Sequence, residues 1–374
     1  MSLPRFLVSP KNPKTPNPTP SLIAAWIPFF TLFAISGLFS ANPSLSILKL
    51  TWAIFNITGA ALVISTYQDS GSLTQGFRLA IFANALTLWI DSIFLQCLSR
   101  QPFLGFSMIG GTFENVQLFR PEAFYYEPSY AGSALAFAIP LLLVISNPQS
   151  KAALLFNALV MSAVVLTGSR TGYLCLFISM ALILIFGIWK NKRELWGPVI
   201  KTSAAGLLLL CLFGLTSGGG RYFRFLWSDV VRPQKIYANL RANPIPTSES
   251  IRVNDFKKSV EDWKTHPWIG SGVDPDTGDT QRHLLQSTLT NTWMELAVEA
   301  GSLGLAAFLL AVGFNMRKAL QNNQTGALRF FIIAAWFAHF TVNLNFTQTF
   351  PRLDYWLLFF FSIALMTRPK QEKL

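Results

Sequence analysis

The chain has 374 residues, 51% hydrophobic and only 13% charged, with thirty Lys and Arg against eighteen Asp and Glu. Too few charges are present to coat a soluble surface of this size, so a bilayer is the expected solvent. A soluble enzyme, a disulfide scaffold and a fibrous rod are excluded, the three cysteines Cys97, Cys175 and Cys211 all falling inside apolar runs.

Residues 1–21 hold Arg5, Lys11 and Lys14 among prolines and read as a short cytoplasmic tail. No cleavage pattern follows the first apolar run, which therefore stays as an anchor. Runs long enough for ~30 Å of hydrocarbon then cover 22–39, 46–66 and 78–98. After an outer loop, 99–126, come 127–147, 152–168, 170–189 and 198–216, so that 22–216 holds the first seven spans. Residues 217–290 are the soluble-like stretch, a large periplasmic loop carrying short helices. Within it Val253, Phe256, Val260 and Trp263 share one helical face, which His266 and Pro267 end. Runs at 291–315, 327–346 and 353–367 complete the last membrane segment, 291–367, and 368–374 is a second cytoplasmic tail. The fold class is an all-α integral membrane protein of about ten helices.

Orientation follows from Lys and Arg in the short loops. With both termini inside, fifteen Lys and Arg face the cytoplasm with three acids, Lys190, Lys192, Arg193, Arg317 and Lys318 among them. The remaining fifteen of each sign cancel, so the whole net charge of +12 lies on one face. The basic balance then reports orientation and contact with anionic lipid, and no nucleic-acid partner is expected.

Ionisable side chains in or beside a span cost several kcal/mol by most estimates and carry a functional hypothesis by default. On this topology they share the outer side. Arg120 and Glu127 precede and open the fourth span (FRPEAFYYEPSYAG), Asp91 lies in the outer half of the third, and Arg170 sits in the tight turn LTGSRTGY. Glu295 and Glu299 are four apart and hence on one helical face.

Each has a plainer alternative. Arg170 can anchor the interface, although a short outer turn disfavours Arg, and Gly168, Ser169 and Gly172 suit a backbone close to an anion. Glu127 can serve the macrodipole of the helix it opens, and Glu295 and Glu299 can pair with Lys or Arg inside the bundle. His339 reads as a packing residue, His266 as a turn former, and His283, near the outer mouth of span eight, as a candidate base. VDPDTGD resembles a calcium loop but has Asp279 and Leu285 where Gly and Glu are required, so no metal is assigned.

The stretch DWKTHPWIGSG followed by NTWMELAVEAGSLGL, together with the earlier Ser169-Arg170-Thr171 turn, resembles the O-antigen ligase and polymerase family. EPSYAG, residues 127–132, resembles the polymerases of exopolysaccharide and O-antigen synthesis. The resemblance implies a GT-C-like membrane glycosyltransferase of the bacterial inner membrane, acting at the periplasmic face on undecaprenyl-pyrophosphate-linked oligosaccharide without cofactor or metal. Its further partners are a growing glycan acceptor, the bilayer and a chain-length regulator.

The family also implies arginines on the pyrophosphate and, in ligases, a loop histidine beside the Asn that opens the following span. Here Thr290 precedes Asn291 and the nearest upstream histidine is His283, which shifts weight from ligase to polymerase. The expected catalytic residues are Arg170, Glu127, His283 and Glu295, and the expected substrate-binding residues are Arg120, Arg252, Tyr130, Asn291 and Ser169. Arg221, Arg224 and Arg282 are substitutes, and Tyr125, Tyr126, Trp263 and Trp268 offer apolar faces for sugar rings. A ligase passing glycan to lipid A core or another acceptor is the close alternative. A transporter or flippase of lipid-linked sugars is the alternative of another class, and it lacks the expected repeats and midplane breaks.

Overall fold

A helix apolar on every face can be buried on one side and meet lipid on the other, and such helices make up most of this chain. The computed structural model describes residues 19–67, 71–98, 102, 104, 106–113, 116–125, 128–146, 150–231, 248–273, 291–321, 326–344 and 352–367. In chain order α1 (Thr19–Ala24), α2 (Ile27–Leu38), α3 (Pro43–Tyr67) and α4 (Gly71–Ile93) are followed by a π turn, Phe94–Leu98. A hairpin of β1 (Phe106–Phe113) and β2 (Val116–Ala123) precedes α5 (Pro128–Ile145), α6 (Lys151–Leu166), α7 (Arg170–Trp189) and α8 (Arg193–Gly214). Then come α9 (Ser217–Val231), α10 (Ser248–Thr265), α11 (Thr292–Leu320), α12 (Gly326–Ala338) with a π turn at His339–Asn343, and α13 (Leu353–Thr367).

Seven of the described helical segments have the length and hydropathy to cross a membrane, and three shorter apolar helices lie over 151–166, 328–342 and 353–367. Together they fall on the runs read from the sequence, and the protein is an α-helical integral membrane protein. α5 is the central helix, 78% of it buried, and α8 is peripheral at 22%, turning Leu207, Leu208 and Leu212 outward. α5 packs on α6, α7, α12 and α13, and its interior Pro140 is buried with the rest.

The helix ends fall into two groups. At one end Lys318 bonds Ser21, Arg78 donates to the Ile145 carbonyl, and Lys192 approaches Gly326. At the other, Lys49 meets Glu295 and Glu299, Arg120 meets Thr167 and Gly168, and Arg352 lies over Tyr130. The candidate residues described belong to the second group.

The hairpin is an addition to the all-helical expectation. Its strands are antiparallel, Met108 opposite Arg120, with a register shift between Ile109 and Gly111. Asp91 accepts from the Leu104 N–H at 2.8 Å and Gln96 donates to the Phe119 carbonyl at 2.6 Å, which ties the hairpin to the end of α4. Asp91 is thereby a loop anchor.

α11 is broken. Gly301 has φ 69° and ψ 179°, a conformation open almost only to glycine, and the break exposes backbone groups two turns into the helix. Residues 267–273 fill it: Ser271 and Gly272 N–H donate to the Val298 and Glu299 carbonyls, and Ser302 and Leu303 N–H donate to Pro267 and Trp268. Ser36, Ser40 and Ser46 bind the same segment through Gly272 and Val273. The amphipathic face of α10 adds Trp263, whose indole donates to Ser302 Oγ at 3.1 Å. Irregular backbone at this depth is tolerable because its polar groups are paired.

Candidate active site

The turn between α6 and α7 is fixed by hydrogen bonds to the last carbonyls of α6. Tyr173 Oη donates to Val165 O and Tyr222 Oη to Leu166 O, both at 2.7 Å. Arg120 reaches from β2 to Thr167 O through Nε at 3.1 Å and to Gly168 O through Nη2 at 2.6 Å. Burial pushes the Tyr222 phenol well above its ordinary value, against the opposing charge of Arg120, so it keeps the proton that it donates.

Gly168 has φ 64°, and a Cβ there would meet Arg120, Leu226 and Tyr222, which is why the turn takes glycine. Ser169 then caps α7 by accepting from the Gly172 N–H at 3.0 Å. The next residue, Arg170, is exposed at the N-terminus of α7.

α5 and α7 touch at Gly132 and Gly172, close enough that a Cβ on either would strike the other helix or its cap. Two positive helix ends are thereby set side by side. Tyr130 and Arg170 each lie two residues ahead of the contact. Arg352 rests on Tyr130, Cζ to ring centroid 4.3 Å, with Tyr125 at 5.5 Å, and is paired with Asp354 through Nε and Nη2.

On its lipid side α7 borders an apolar groove of about 900 Å³ between α6, α8 and α9, lined by Tyr173, Phe177, Met180, Leu184 and Trp227 among others. Among the described residues Arg224 is the one charged residue in the lining. Tyr173, Phe177 and Leu184 follow Arg170 at helical spacing, so the groove runs down the face that Arg170 heads.

Glu295 and Glu299 stand elsewhere. Their partner is Lys49 of α3, at 2.7 and 2.5 Å, with all three side chains no more than 4% exposed. One Oε2 on each glutamate is buried without a hydrogen-bond partner among the described residues. The pairing alternative therefore describes them. Asn291 caps α11 by accepting from Met294 N–H at 3.0 Å. His339 is stacked between Phe137 and Tyr355, and His266 shapes the turn into the inserted segment.

The structure thus brings Arg120, Ser169, Arg170 and Tyr130 together and puts Glu295 in a separate ion cluster. Glu127, His283, Arg282, Tyr126 and residues 274–279 of the VDPDTGD loop lie outside the described residues, as does the side chain of Arg252 on α10. Arg352, Lys49 and Tyr222 were not picked out from the sequence. An ionisable residue in or beside an apolar run was the available signal for the first two.

Residues 152–309 match the family model described as O-antigen ligase. Over that stretch the chain is similar to the O-antigen ligase family. That segment runs from α6 into α11 and includes the Arg170 turn, the groove and the broken helix, and the similarity supports a membrane enzyme. Arg120, Tyr130 and Arg352 lie outside it. No curated protein matches the chain.

Proposed function

We propose that the protein is a polymerase that joins undecaprenyl-pyrophosphate-linked oligosaccharide repeat units at the periplasmic face of the bacterial inner membrane, with both termini cytoplasmic and 217–290 outside. One observation carries the reading: Arg170 stands at the N-terminus of α7, one turn ahead of Tyr173, the first residue of that helix to line an apolar groove. A pyrophosphate at Arg170 with its isoprenoid tail along Tyr173 and Phe177 satisfies both halves of such a lipid.

In the reaction an acceptor hydroxyl attacks the anomeric carbon of the donor. The bond from that carbon to the pyrophosphate oxygen breaks, the lipid pyrophosphate leaves with the electron pair, and the hydroxyl proton passes to a base. Arg170, with the dipoles of α5 and α7, stabilises the charge gathering on the leaving group, so no divalent metal is required. Arg120 already binds two carbonyls and holds the turn, with its charge beside the same anion. Glu127 and His283 remain the proposed bases, and Glu295, ion-paired with Lys49, holds the fold of α11.

A ligase is the second reading, favoured by the description of the matching family. Purified protein in vesicles, given the host's lipid-linked repeat unit in excess EDTA, distinguishes them. A ladder of multiple units with release of undecaprenyl pyrophosphate supports polymerisation. Transfer of single glycans only to added lipid A core supports ligation. Movement of the lipid across the bilayer without new glycosidic bonds supports a flippase and removes both.

A further inference from the structure

Arg352 and Asp354 differ chemically from Arg170. Arg352 binds Asp354 through Nε and Nη2, one donor to each carboxylate oxygen, so the pair has no net charge and leaves Nη1 outside that fork. The Asp354 side chain is 31% exposed, and its second set of lone pairs accepts further donors. Two tyrosine rings lie beneath the guanidinium.

Burial pushes the Tyr125 phenol up, the Asp354 charge adds to this and the Arg352 charge opposes it, so Tyr125 also keeps its proton as a donor. A phosphate is attracted by uncompensated positive charge. A sugar's vicinal hydroxyls each donate and accept. A neutral donor–acceptor pair beside a protonated phenol fits the second.

The position fits as well. Tyr130 and Arg170 both lie two residues, ~3 Å along their axes, ahead of the Gly132–Gly172 contact, and packed helices stand ~8–10 Å apart. A group on Tyr130 is thus about one helix diameter from one on Arg170.

We infer that Arg352, Asp354 and Tyr125 form the sugar subsite of the donor, binding hydroxyls of the pyrophosphate-linked residue through the Arg–Asp pair and the Tyr125 phenol, with the buried Tyr130 ring supporting the guanidinium from beneath. The inference rests on the lipid-pyrophosphate reading above and adds a division of labour: Arg170 takes the anion and the Arg352–Asp354 pair takes the sugar.

Binding to detergent-purified protein is measured with three probes: undecaprenyl pyrophosphate without sugar, the host's lipid-linked repeat unit, and the free oligosaccharide. Arg352→Gln and Asp354→Asn are expected to weaken the sugar-bearing lipid and the free oligosaccharide by about tenfold or more, the worth of one or two hydrogen bonds, and to leave the bare lipid pyrophosphate unchanged. Arg170→Ala is expected to weaken the bare lipid as well.

Equal weakening of the bare lipid by Asp354→Asn or Arg352→Gln would overturn the sugar assignment, as would unchanged oligosaccharide binding in a folded variant. If Arg352→Gln fails to fold, Asp354→Asn and Tyr125→Phe decide by the same criterion. Wild-type protein that ignores bare lipid pyrophosphate but binds oligosaccharide in an Asp354-dependent way removes the pyrophosphate reading and keeps this subsite. Binding of none of the three removes both.

Discussion

Replacing Lys49 by Met removes the cation that pairs, among the described residues, with two carboxylates that are 0% and 4% exposed. Met keeps the volume, so the loss is electrostatic. Breaking a buried pair by deleting one partner costs about 3–5 kcal/mol, because the remaining charge is left uncompensated. Here two carboxyls face the same vacated position, one turn apart on α11, and their mutual repulsion adds to that penalty.

At ~1.4 kcal/mol per decade the ratio of folded to unfolded protein falls by about two to three and a half decades. Tryptophan fluorescence during unfolding in mixed micelles reads this, with membrane abundance as a second readout. The triple variant Lys49→Met, Glu295→Gln, Glu299→Gln is expected to recover most of the loss, since no charge is then buried. Wild-type stability in Lys49→Met, or no recovery in the triple variant, would refute the assignment of Glu295 and Glu299 to an ion cluster.

Two further outcomes follow from the fold. Gly301→Ala should destabilise by about 1–3 kcal/mol, because its backbone conformation is nearly closed to alanine and the added Cβ meets the Trp268 and Ile269 backbone. Protection of the Ser271 and Gly272 amides from exchange should fall with it, and unchanged protection would show that the inserted segment does not depend on the break. On a cysteine-free background, Cys at Lys257 should label from outside intact cells and Cys at Lys192 should not; the reverse pattern would put Arg170 in the cytoplasm.

The spans were legible because about twenty apolar residues in a row admit few solutions other than a crossing helix. The hairpin was not: FSMIGGTF and VQLFRPEA contain two glycines, a proline and charges, and give no clean period-two alternation. Arg170 stood out because an arginine in a short outer turn violates the orientation bias. Lys49 did not, since a single lysine inside a long apolar run barely lowers its mean hydropathy, and its meaning depends on Glu295 lying 246 positions away.

The DWKTHPWIGSG and NTWMELAVEAGSLGL stretches were read for chemistry. The structure joins them as an inserted segment and the helix break that receives it, so their glycines answer to packing. Tyr222 lay in a segment read as loop, and only the packing of α9 on α8 brings it under the turn.

Polymerisation by Arg170→Lys, at membrane abundance equal to wild type, tests the pyrophosphate claim most directly. The substitution keeps the charge and removes the planar fork, and loss of a charge-assisted bond of ~1.5–3 kcal/mol predicts a rate about ten- to a hundredfold lower. Arg170→Ala should be slower still, with both variants inserting normally. Near-wild-type chain formation by Arg170→Lys would make Arg170 an interface anchor and contradict the proposed mechanism.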